Sequence, residues 1–380
     1  MAGIYFHIPF CRRRCGYCDF YRTTETDLKP QLIPALIREL NNRKDYLAGE
    51  GIETIYFGGG TPSVLTIAQV KKLLDWVYRL FSVATNAEIT FEANPDDLSP
   101  EYLGGLISTK INRLSIGIQS FFDEDLARMG RRHNSVQAVE CVNDAYRAGF
   151  KNISVDLIYG LPFMTSEKWG ENLEKALSLP VSHLSAYHLT YHEGTPFYKL
   201  RKAGVLKEVE EEESINQFEE LIKMAESKGF MHYEISNFAK NEAFSRHNSS
   251  YWFGEKYLGV GPSAHSYDKA SRQWNISGLK QYLQKMQQNK PFFEKEILNK
   301  DTLFNEYILT SLRTMWGVSK KTIREQFGTD YLTCFQQGIQ QFVRSGHVTE
   351  KAGNYIFTKR GIFVSDDIMA TLMLVADSKK

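Results

Sequence analysis

The stretch Pro9-Phe10-Cys11-Arg12-Arg13-Arg14-Cys15-Gly16-Tyr17-Cys18-Asp19-Phe20 holds three of the five cysteines of the chain, at the spacing Cys-x-x-x-Cys-x-x-Cys. The other two, Cys141 and Cys334, lie far away without a thiol or histidine at ligand spacing. A structural zinc site takes four protein ligands, whereas a cluster of four irons held by three thiolates keeps one iron open. The spacing therefore favours a 4Fe-4S cluster bound by Cys11, Cys15 and Cys18.

The residues around these cysteines predict a loop rather than a helix. Pro9 precedes the first cysteine and Gly16 lies between the second and the third, and both residue types interrupt helices. A loop that wraps around an inorganic centre suits a cluster. Two other interpretations of the same cysteines are a zinc site completed by a distant histidine such as His7, and reduced thiols that bind nothing.

The cysteine triplet, with Tyr17 just before its last member and a first apolar strand before it, resembles the cluster loop of radical S-adenosylmethionine (SAM) enzymes. In that family the open iron binds the amino and carboxylate groups of SAM. One electron from the reduced cluster then cleaves SAM to methionine and a 5′-deoxyadenosyl radical. The resemblance therefore implies three associated components: a 4Fe-4S cluster, SAM, and a low-potential electron donor such as flavodoxin or ferredoxin.

Composition limits the class of protein. With 380 residues, 42% hydrophobic and 24% charged, the chain can bury a large core, and we expect one large domain and a small one. No apolar run approaches the ~18 residues of a membrane span, and the first residues lack a signal-peptide pattern, so we expect a cytoplasmic protein without an integral membrane segment. Clustered thiols fit a reducing compartment. The net charge of +1 gives no general attraction for nucleic acid.

The first half of the chain alternates β-branched and aromatic runs with stretches of helical period, which predicts a parallel sheet with helices outside it. The predicted strands are Ile4–Ile8, Thr54–Gly58, Glu88–Ala93, Arg113–Gln119, Ile153–Tyr159 and His183–Thr190. The predicted helices are Asp27–Leu47, Ile67–Leu80, Pro100–Ser108, Val136–Ala148, Ser166–Leu179 and Glu211–Ser227. These units predict an α/β fold, a partial (β/α)6 radical SAM barrel, with its chemistry at the carboxyl ends of the strands.

The predicted strand ends are rich in glycine and polar residues. Three glycines at Gly58–Gly60 either form a tight turn or let backbone amides approach a ligand. Glu92 and Asp156 lie in otherwise apolar strands, where an ionised carboxylate requires a partner. The resemblance implies a SAM site lined by Tyr5, Tyr17, Gly59, Gly60, Thr61, Glu92, Gln119, Arg131 and Asp156. Arg132 could take the place of Arg131 in this site. For either arginine, the alternative to SAM binding is an ion pair at the protein surface.

Four further motifs narrow the resemblance. Gly-Gly-Gly-Thr-Pro, Gly-Ile-Gln-Ser-Phe, Asp-Leu-Ile-Tyr-Gly-Leu-Pro and Ser-Ala-Tyr-His-Leu-Thr-x-x-x-Gly-Thr-Pro are similar to those of the oxygen-independent coproporphyrinogen III oxidase group, over about residues 1–375. That group contains porphyrinogen dehydrogenases and haem chaperones of the HemW type. The dehydrogenases carry a further cysteine where this chain has Phe20, and an N-terminal extension before the first strand. Both features are missing here, which favours the haem-chaperone branch, with coproporphyrinogen III oxidation as the alternative.

A motif near the middle of the chain also favours that branch. His247-Asn248-Ser249-Ser250-Tyr251-Trp252 matches the His-Asn-x-x-Tyr-Trp pattern of the haem chaperones, within an aromatic-rich segment from His232 to Tyr267. Such a segment forms either a plain core or an apolar wall for a porphyrin. The sequence does not choose between His247 and His265 as iron ligand. The predicted partners are haem or a porphyrinogen and a haem-acceptor protein, and the predicted haem residues are His247, Asn248, Tyr251, Trp252 and His265.

The pattern changes to helices followed by a hairpin after a predicted linker at Asn289-Lys290-Pro291. The predicted helices Leu303–Thr314, Lys320–Gln326 and Tyr331–Ser345 precede the predicted strands His347–Glu350 and Tyr355–Lys359. This order resembles a winged helix, so a DNA-binding regulator is a further alternative. The third helix, however, contains Arg344 as its sole basic residue, and residues 301–380 carry ten Lys and Arg against eight Asp and Glu. This charge balance argues against a nucleic acid partner. We predict a barrel over residues 1–231, an aromatic-rich extension over 232–290, and a winged-helix-like α+β domain over 291–380.

Overall fold

Six parallel strands form the centre of the structure, a computed structural model that describes residues 2–374. They are β1 (Ala2–Ile8), β2 (Ile52–Gly59), β3 (Val83–Ala93), β4 (Arg113–Gln119), β5 (Asn152–Tyr159) and β6 (His183–His188). The strands pair in the order of the sequence, so that all their carboxyl ends lie at one edge. The six parallel strands predicted from the sequence are thus confirmed.

Helices connect these strands on the outside of the sheet. They are α1 (Lys29–Asn42), α2 (Ile67–Leu80), α3 (Pro100–Ile107), α4 (Asp123–Met129), α5 (Ser135–Arg147), α6 (Ser166–Ser178), α7 (Pro196–Lys202) and α8 (Glu211–Ser227). The first helix is shorter than predicted, because Thr26–Leu28 forms a separate 3-10 turn and Pro30 favours a helix start at Lys29. The prediction missed α4 and α7. Both carry local signals: Gly130 in the left-handed conformation ends α4, and the hydroxyl of Thr195 caps α7.

Further strands extend the sheet at both edges. They are β7 (Met231–Glu234), β8 (Asn237–Ala239), β9 (Lys256–Val260), β10 (His265–Tyr267), β11 (Ser271–Asn275) and β12 (Phe293–Ile297), accompanied by the helices α9 (Arg246–Trp252) and α10 (Leu279–Gln287). β9 adds to β1 and is followed by β10, β11 and β12, whereas β8 and β7 add to β6. The predicted boundaries at residues 231 and 290 therefore lie beside strands of one continuous sheet, and the division into domains stays a prediction.

The C-terminal part has its own small sheet and its own apolar core. Its elements are α11 (Lys300–Leu312), β13 (Val318–Ser319), α12 (Lys320–Gln326), α13 (Thr329–Arg344), β14 (Val348–Lys351), β15 (Asn354–Phe357), α14 (Lys359–Phe363) and α15 (Ser365–Leu372). The strands pair in the order β13-β15-β14, and the core around Phe304 and Phe335 is separate from that of the barrel. Within residues 2–374, no helix combines the length and apolarity needed to cross a membrane.

Alternation along the strands separates an apolar outer face from a polar interior. On β1, Ile4, Phe6 and Ile8 are fully buried in the main core, whereas Tyr5 and His7 occupy the opposite face. The hydroxyl of Tyr5 and Nδ1 of His7 are 3.1 Å apart on that face. The barrel therefore combines an apolar exterior covered by helices with an interior that presents hydrogen-bonding groups.

A buried carboxylate joins α1 to the strands that extend the sheet. Glu39 is fully buried and accepts hydrogen bonds from Nη1 of Arg43 at 3.1 Å and from Nδ2 of Asn275 at 2.7 Å. Its second oxygen accepts from the backbone N–H of Gly261 at 2.8 Å and from the hydroxyl of Tyr282 at 2.6 Å. A buried charge with this many partners ties the extension to the barrel.

We expect Glu39→Ala to lower the free energy of unfolding by about 3–5 kcal/mol, because it leaves the guanidinium of Arg43 buried without its carboxylate. Urea denaturation followed by circular dichroism measures this loss. The matched control is Glu325→Ala, which removes an exposed carboxylate 3.9 Å from Lys321 and should change stability by less than about 0.5 kcal/mol. Equal losses in the two variants would contradict a stabilising role for Glu39.

Candidate functional site

The cysteine loop follows β1 and is fixed by its own backbone. The N–H of Cys11 donates to the carbonyl of Thr23 at 2.9 Å, and the N–H of Gly16 donates to the carbonyl of Met129 at 2.9 Å. Cys11 is buried, with its sulfur 3.3 Å from the hydroxyl of Thr61, and Cys15 and Cys18 are half-buried. The loop thus lies between the ends of β1 and β2 and the C-terminal end of α4.

His7 does not offer a nitrogen to this loop. Its Nε2 bonds to the carbonyl of Tyr21 at 3.0 Å and its Nδ1 to the hydroxyl of Tyr5 at 3.1 Å. Burial lowers the pKa of His7 to about 4, so the ring is neutral and both nitrogens are engaged. This geometry argues against His7 as the fourth ligand of a zinc site.

The residues of the loop fit an iron–sulfur cluster. Burial raises the pKa of Cys18 to about 11, so a thiolate there requires a compensating positive charge, which iron supplies. Nη1 of Arg131 lies 3.6 Å from the sulfur of Cys15, and its buried Nε has no hydrogen-bond partner in the described chain. Among residues 2–374, no three His, Cys, Asp or Glu side chains already converge as metal ligands, and the three thiols share one loop.

At the end of β2, beside the cysteine loop, the glycines at positions 58–60 leave the backbone uncovered by side chains. Gly59 has a φ of 106°, a conformation that residues with side chains rarely adopt. A Cβ at Gly60 would lie 2.8 Å from the carbonyl oxygen of Ile8 and 2.8 Å from the carbonyl carbon of Pro9. The glycines are therefore required for the close approach of two strand ends, and they leave Thr61 against Cys11.

Two carboxyl groups face the barrel interior with pKa values near neutrality. Burial raises the pKa of Glu92 to about 7 and that of Asp156 to about 6. Glu92 accepts from the hydroxyl of Tyr56 at 2.7 Å and from the N–H of Gly59 at 3.3 Å. Asp156 accepts from the hydroxyl of Ser115 at 3.4 Å. Both groups can take further donors, such as hydroxyls or an ammonium group.

The structure separates the roles of the two adjacent arginines. Nη2 of Arg131 donates to Oδ1 of Asn94 at 2.7 Å, on the side of Cys15, whereas Arg132 forms an ion pair with Asp97 at 3.0 Å. Arg131 thus lies beside the cysteine loop, whereas Arg132 pairs with a carboxylate away from it.

Two other predicted SAM residues also lie at this edge. Gln119 ends β4 with a φ of 73°, strained for a residue other than glycine, at the point where the pairing register with β5 shifts. The ring of Tyr17 packs edge-on against Phe197, with 6.4 Å between centroids. Tyr5, deeper in the barrel, stacks on Tyr56 at 6.0 Å. The structure thus places Gln119 and Tyr17 at the mouth of the barrel and Tyr5 deeper inside it.

His247 lies inside the barrel and is only 1% exposed. Its Nδ1 is 2.8 Å from the hydroxyl of Thr54 and its Nε2 is 2.8 Å from the hydroxyl of Tyr251. The backbone N–H of His247 donates to Glu88 at 2.9 Å, and burial lowers the pKa of the ring to about 3. Both ring nitrogens are engaged within the protein, so neither is open to an iron ion in this structure.

The other predicted haem residues take different positions. Tyr251 and Trp252 line a cavity of about 1490 Å³, and the exposed His265 lies on its wall, with its ring 6.4 Å from that of Trp274. Asn248 is half-buried in α9 and its N–H is capped by the hydroxyl of Ser245.

The cavity runs from the barrel mouth to the C-terminal helices. Tyr5 and Phe20 contribute at one end, and Phe20 is 66% exposed. At the other end lie Arg313 and Trp316, which sequence reasoning missed, because nothing local in α11 indicates that its end returns to the barrel. Among the predicted SAM residues the cavity contacts Tyr5 alone, and among the predicted haem residues it contacts Tyr251, Trp252 and His265.

Two family models match the chain. The model of the radical SAM superfamily matches residues 5–176, and the model of the HemN C-terminal domain matches residues 298–364. Among solved structures, coproporphyrinogen III oxidase (HemN) from Escherichia coli has a TM-score of 0.85 at 24% identity, covering 98% of this chain and 90% of that one. This likeness confirms the predicted α/β barrel fold.

Curated relatives match over almost their whole length. The protein named heme chaperone HemW from Lactococcus lactis subsp. lactis is 34% identical over 376 residues, which cover 96% of this chain and 97% of the relative. The protein of the same name from Bacillus subtilis is 33% identical, with 98% and 99% covered. The branch predicted from Phe20 and the His-Asn-x-x-Tyr-Trp motif is confirmed by these relatives. The chain therefore belongs to the radical SAM superfamily and, within it, to the family of the proteins named heme chaperone HemW.

Proposed function

We propose that this protein binds haem in the cavity beside its barrel and delivers it to acceptor proteins. The observation that carries the proposal is the cavity of about 1490 Å³ between the barrel mouth and the C-terminal helices. It is larger than the ~300–1,000 Å³ of most small-molecule sites, and eleven of its thirty lining residues are Tyr, Trp or Phe. A flat apolar macrocycle gains free energy from burial against such a wall. The names of the full-length relatives support the same function.

His265 is the proposed ligand of the haem iron. It lies on the cavity wall with its side chain exposed, whereas His247 is buried with both nitrogens engaged. A neutral imidazole is a common ligand of haem iron, and the partial burial of the ring, with the nearby charge of Arg272, lowers the pKa of His265 and favours the neutral form. We assign His247 the role of holding Tyr251 in the cavity wall.

The mouth of the barrel is the proposed site of SAM and the cluster. When bound, the reduced cluster of this superfamily supplies an electron to SAM. The chain itself supplies the three thiols of Cys11, Cys15 and Cys18, the bare backbone of Gly59 and Gly60, and the carboxyl groups of Glu92 and Asp156. A donor such as flavodoxin or ferredoxin and a reducing, cytoplasmic location are part of the proposal.

Coproporphyrinogen III oxidation is the less favoured alternative. The position two residues after the last cluster cysteine holds Phe20, an exposed apolar ring on the cavity wall. A phenyl ring neither transfers a proton nor carries a thiyl radical, which the cysteine of the dehydrogenase branch could do. A DNA-binding role is also disfavoured, since α13 offers only Arg344 to a phosphate backbone.

Replacing any one of Cys11, Cys15 or Cys18 by Ala should abolish cluster assembly, because each supplies a thiolate to the iron. Anaerobically reconstituted wild-type protein should hold about four irons per chain, measured by iron analysis and electron paramagnetic resonance. Cys141→Ala and Cys334→Ala are the controls and should keep the full iron content. One zinc per chain without iron uptake would contradict the assignment.

We expect the affinity for SAM to rise several-fold as pH increases through about 7. The pKa of Glu92 is raised by burial, so its carboxyl group is neutral below that pH and attracts a cationic ligand only above it. Calorimetric titration of the reconstituted protein measures the affinity. Glu92→Gln should bind SAM more weakly and lose this component of the pH profile. Glu140→Gln, at an exposed position on α5, should retain it. Identical pH profiles for wild type and Glu92→Gln would refute the role of Glu92.

His265→Ala should weaken haem binding about tenfold or more and change the Soret absorption, because the iron loses its imidazole. His247→Gln should lower thermal stability through the lost contacts to Thr54 and Tyr251 but retain the Soret position of the wild type. Absorption titration with iron protoporphyrin IX measures both effects. If the Soret band shifts in His247→Gln and not in His265→Ala, the iron ligand is His247 and the present assignment is wrong.

A further inference from the structure

Two hydrogen-bond donors on the cavity wall have no acceptor within the described chain. They are Nε1 of Trp252 and Nε of Arg313, and both atoms are buried. The guanidinium carbon of Arg313 lies 5.3 Å from the centroid of the Trp252 ring, so the two donors belong to one small area. Buried donors are nearly always paired in folded proteins, and two adjacent exceptions in a cavity indicate an acceptor supplied by a ligand.

Other cations of the same cavity already have partners. Arg272 pairs with Glu306 at 2.7 Å, and Lys269 pairs with Glu255 at 3.3 Å. Lys300 lies over the ring of Tyr331 at 5.0 Å. The buried carboxylate of Glu234 is close enough to Arg313 to interact with it electrostatically, but within residues 2–374 no carboxylate lies in ion-pair contact with Arg313. Among the described residues that line the cavity, four cations face two carboxylates, so the wall has room for negative charge.

The main chain holds both donors in place. Arg313 follows α11, and its carbonyl accepts from the N–H of Ile235 at 3.1 Å. Two residues later, the N–H of Met315 donates to the carbonyl of Tyr233 at 2.9 Å. Trp252 ends α9, whose start is anchored by the buried His247. The donors come from two different parts of the chain, and because both atoms are buried their side chains must rotate to meet a common acceptor.

We propose that Trp252 and Arg313 form a seat for one carboxylate of a tetrapyrrole bound in the cavity, an inference that rests on the proposed haem-binding function. A rotation of the two side chains exposes these buried donors to the cavity. One carboxylate oxygen then accepts from Nε1 of Trp252, and the guanidinium of Arg313 donates to the carboxylate and balances its charge. Charge-assisted hydrogen bonds of this kind are stronger than neutral ones and fix the orientation of a planar ligand. The seat gives Trp252, the last residue of the His-Asn-x-x-Tyr-Trp motif, a direct contact with the ligand.

The test compares two probes, iron protoporphyrin IX and its dimethyl ester, which differ in the charge of their carboxyl groups. Absorption titration of the full chain should show that the wild type prefers the diacid. Trp252→Phe keeps the ring and removes the donor, and Arg313→Gln removes the charge. Each should weaken binding of the diacid about tenfold or more and leave binding of the diester unchanged. The Soret position should stay that of the wild type, because the iron ligand is not altered.

A matched pair serves as control. Arg79 lies over the ring of Trp76 at 4.9 Å on α2, outside the cavity, and Trp76→Phe and Arg79→Gln should leave both titrations unchanged. If Arg313→Gln fails to fold, Arg313→Lys replaces it, since it keeps the charge and loses the Nε donor, and it should show a smaller loss for the diacid alone.

The possible outcomes distinguish a failure of the carboxylate seat from a failure of the proposed haem-binding function. Equal weakening of the diacid and the diester, or no weakening of either, would overturn the carboxylate seat and leave haem binding intact. A wild-type chain that binds neither probe would overturn the proposed function and the seat together.

Discussion

The buried carboxylate of Glu88 is the interaction on which the arrangement of the cavity depends. It lies in the barrel interior, 3.9 Å from the guanidinium of Arg113, which is itself 1% exposed. Its oxygens accept the backbone N–H groups of Arg246 and His247 at 3.0 and 2.9 Å, the first two residues of α9. A short helix cannot hold its position by its own hydrogen bonds, so this anchor decides where α9 presents its last residues. A carboxylate on β3 thereby sets one wall of the cavity.

The barrel and its mouth could be predicted from the sequence because their signals are local. Apolar periodicity identified the six strands, and the glycines at 58–60 and the isolated Glu92 and Asp156 marked the strand ends. The adjacent arginines show the limit of this reasoning. Arg131 and Arg132 are equivalent in composition and spacing, and only the path of the loop turns one toward Cys15 and the other toward Asp97.

The side of the molecule that holds the predicted haem residues was only partly predictable. The motif from His247 to Trp252 was visible, but burial of the histidine depends on contacts with Thr54 and Glu88, which are far away along the chain. Arg313 carries no local signal at all. It acquires its position when the end of α11 returns to the strand edge at Tyr233 and Ile235, a long-range contact that no periodicity encodes. Sequence patterns thus identified the chemistry of the wall better than its geometry.

The cavity lies between two separate apolar cores. Among the described residues, the backbone contacts that join them beside the cavity are the bonds at Ile235 and Met315 and an isolated bridge between Glu234 and Thr314. A ligand that touches both walls adds its own binding free energy to this junction. By the same linkage, a partner that draws the C-terminal helices outward weakens the hold on the ligand without disturbing the barrel. Under the proposed function, loading and unloading of the ligand would be controlled at the junction between two apolar cores, without movement of the cysteine loop.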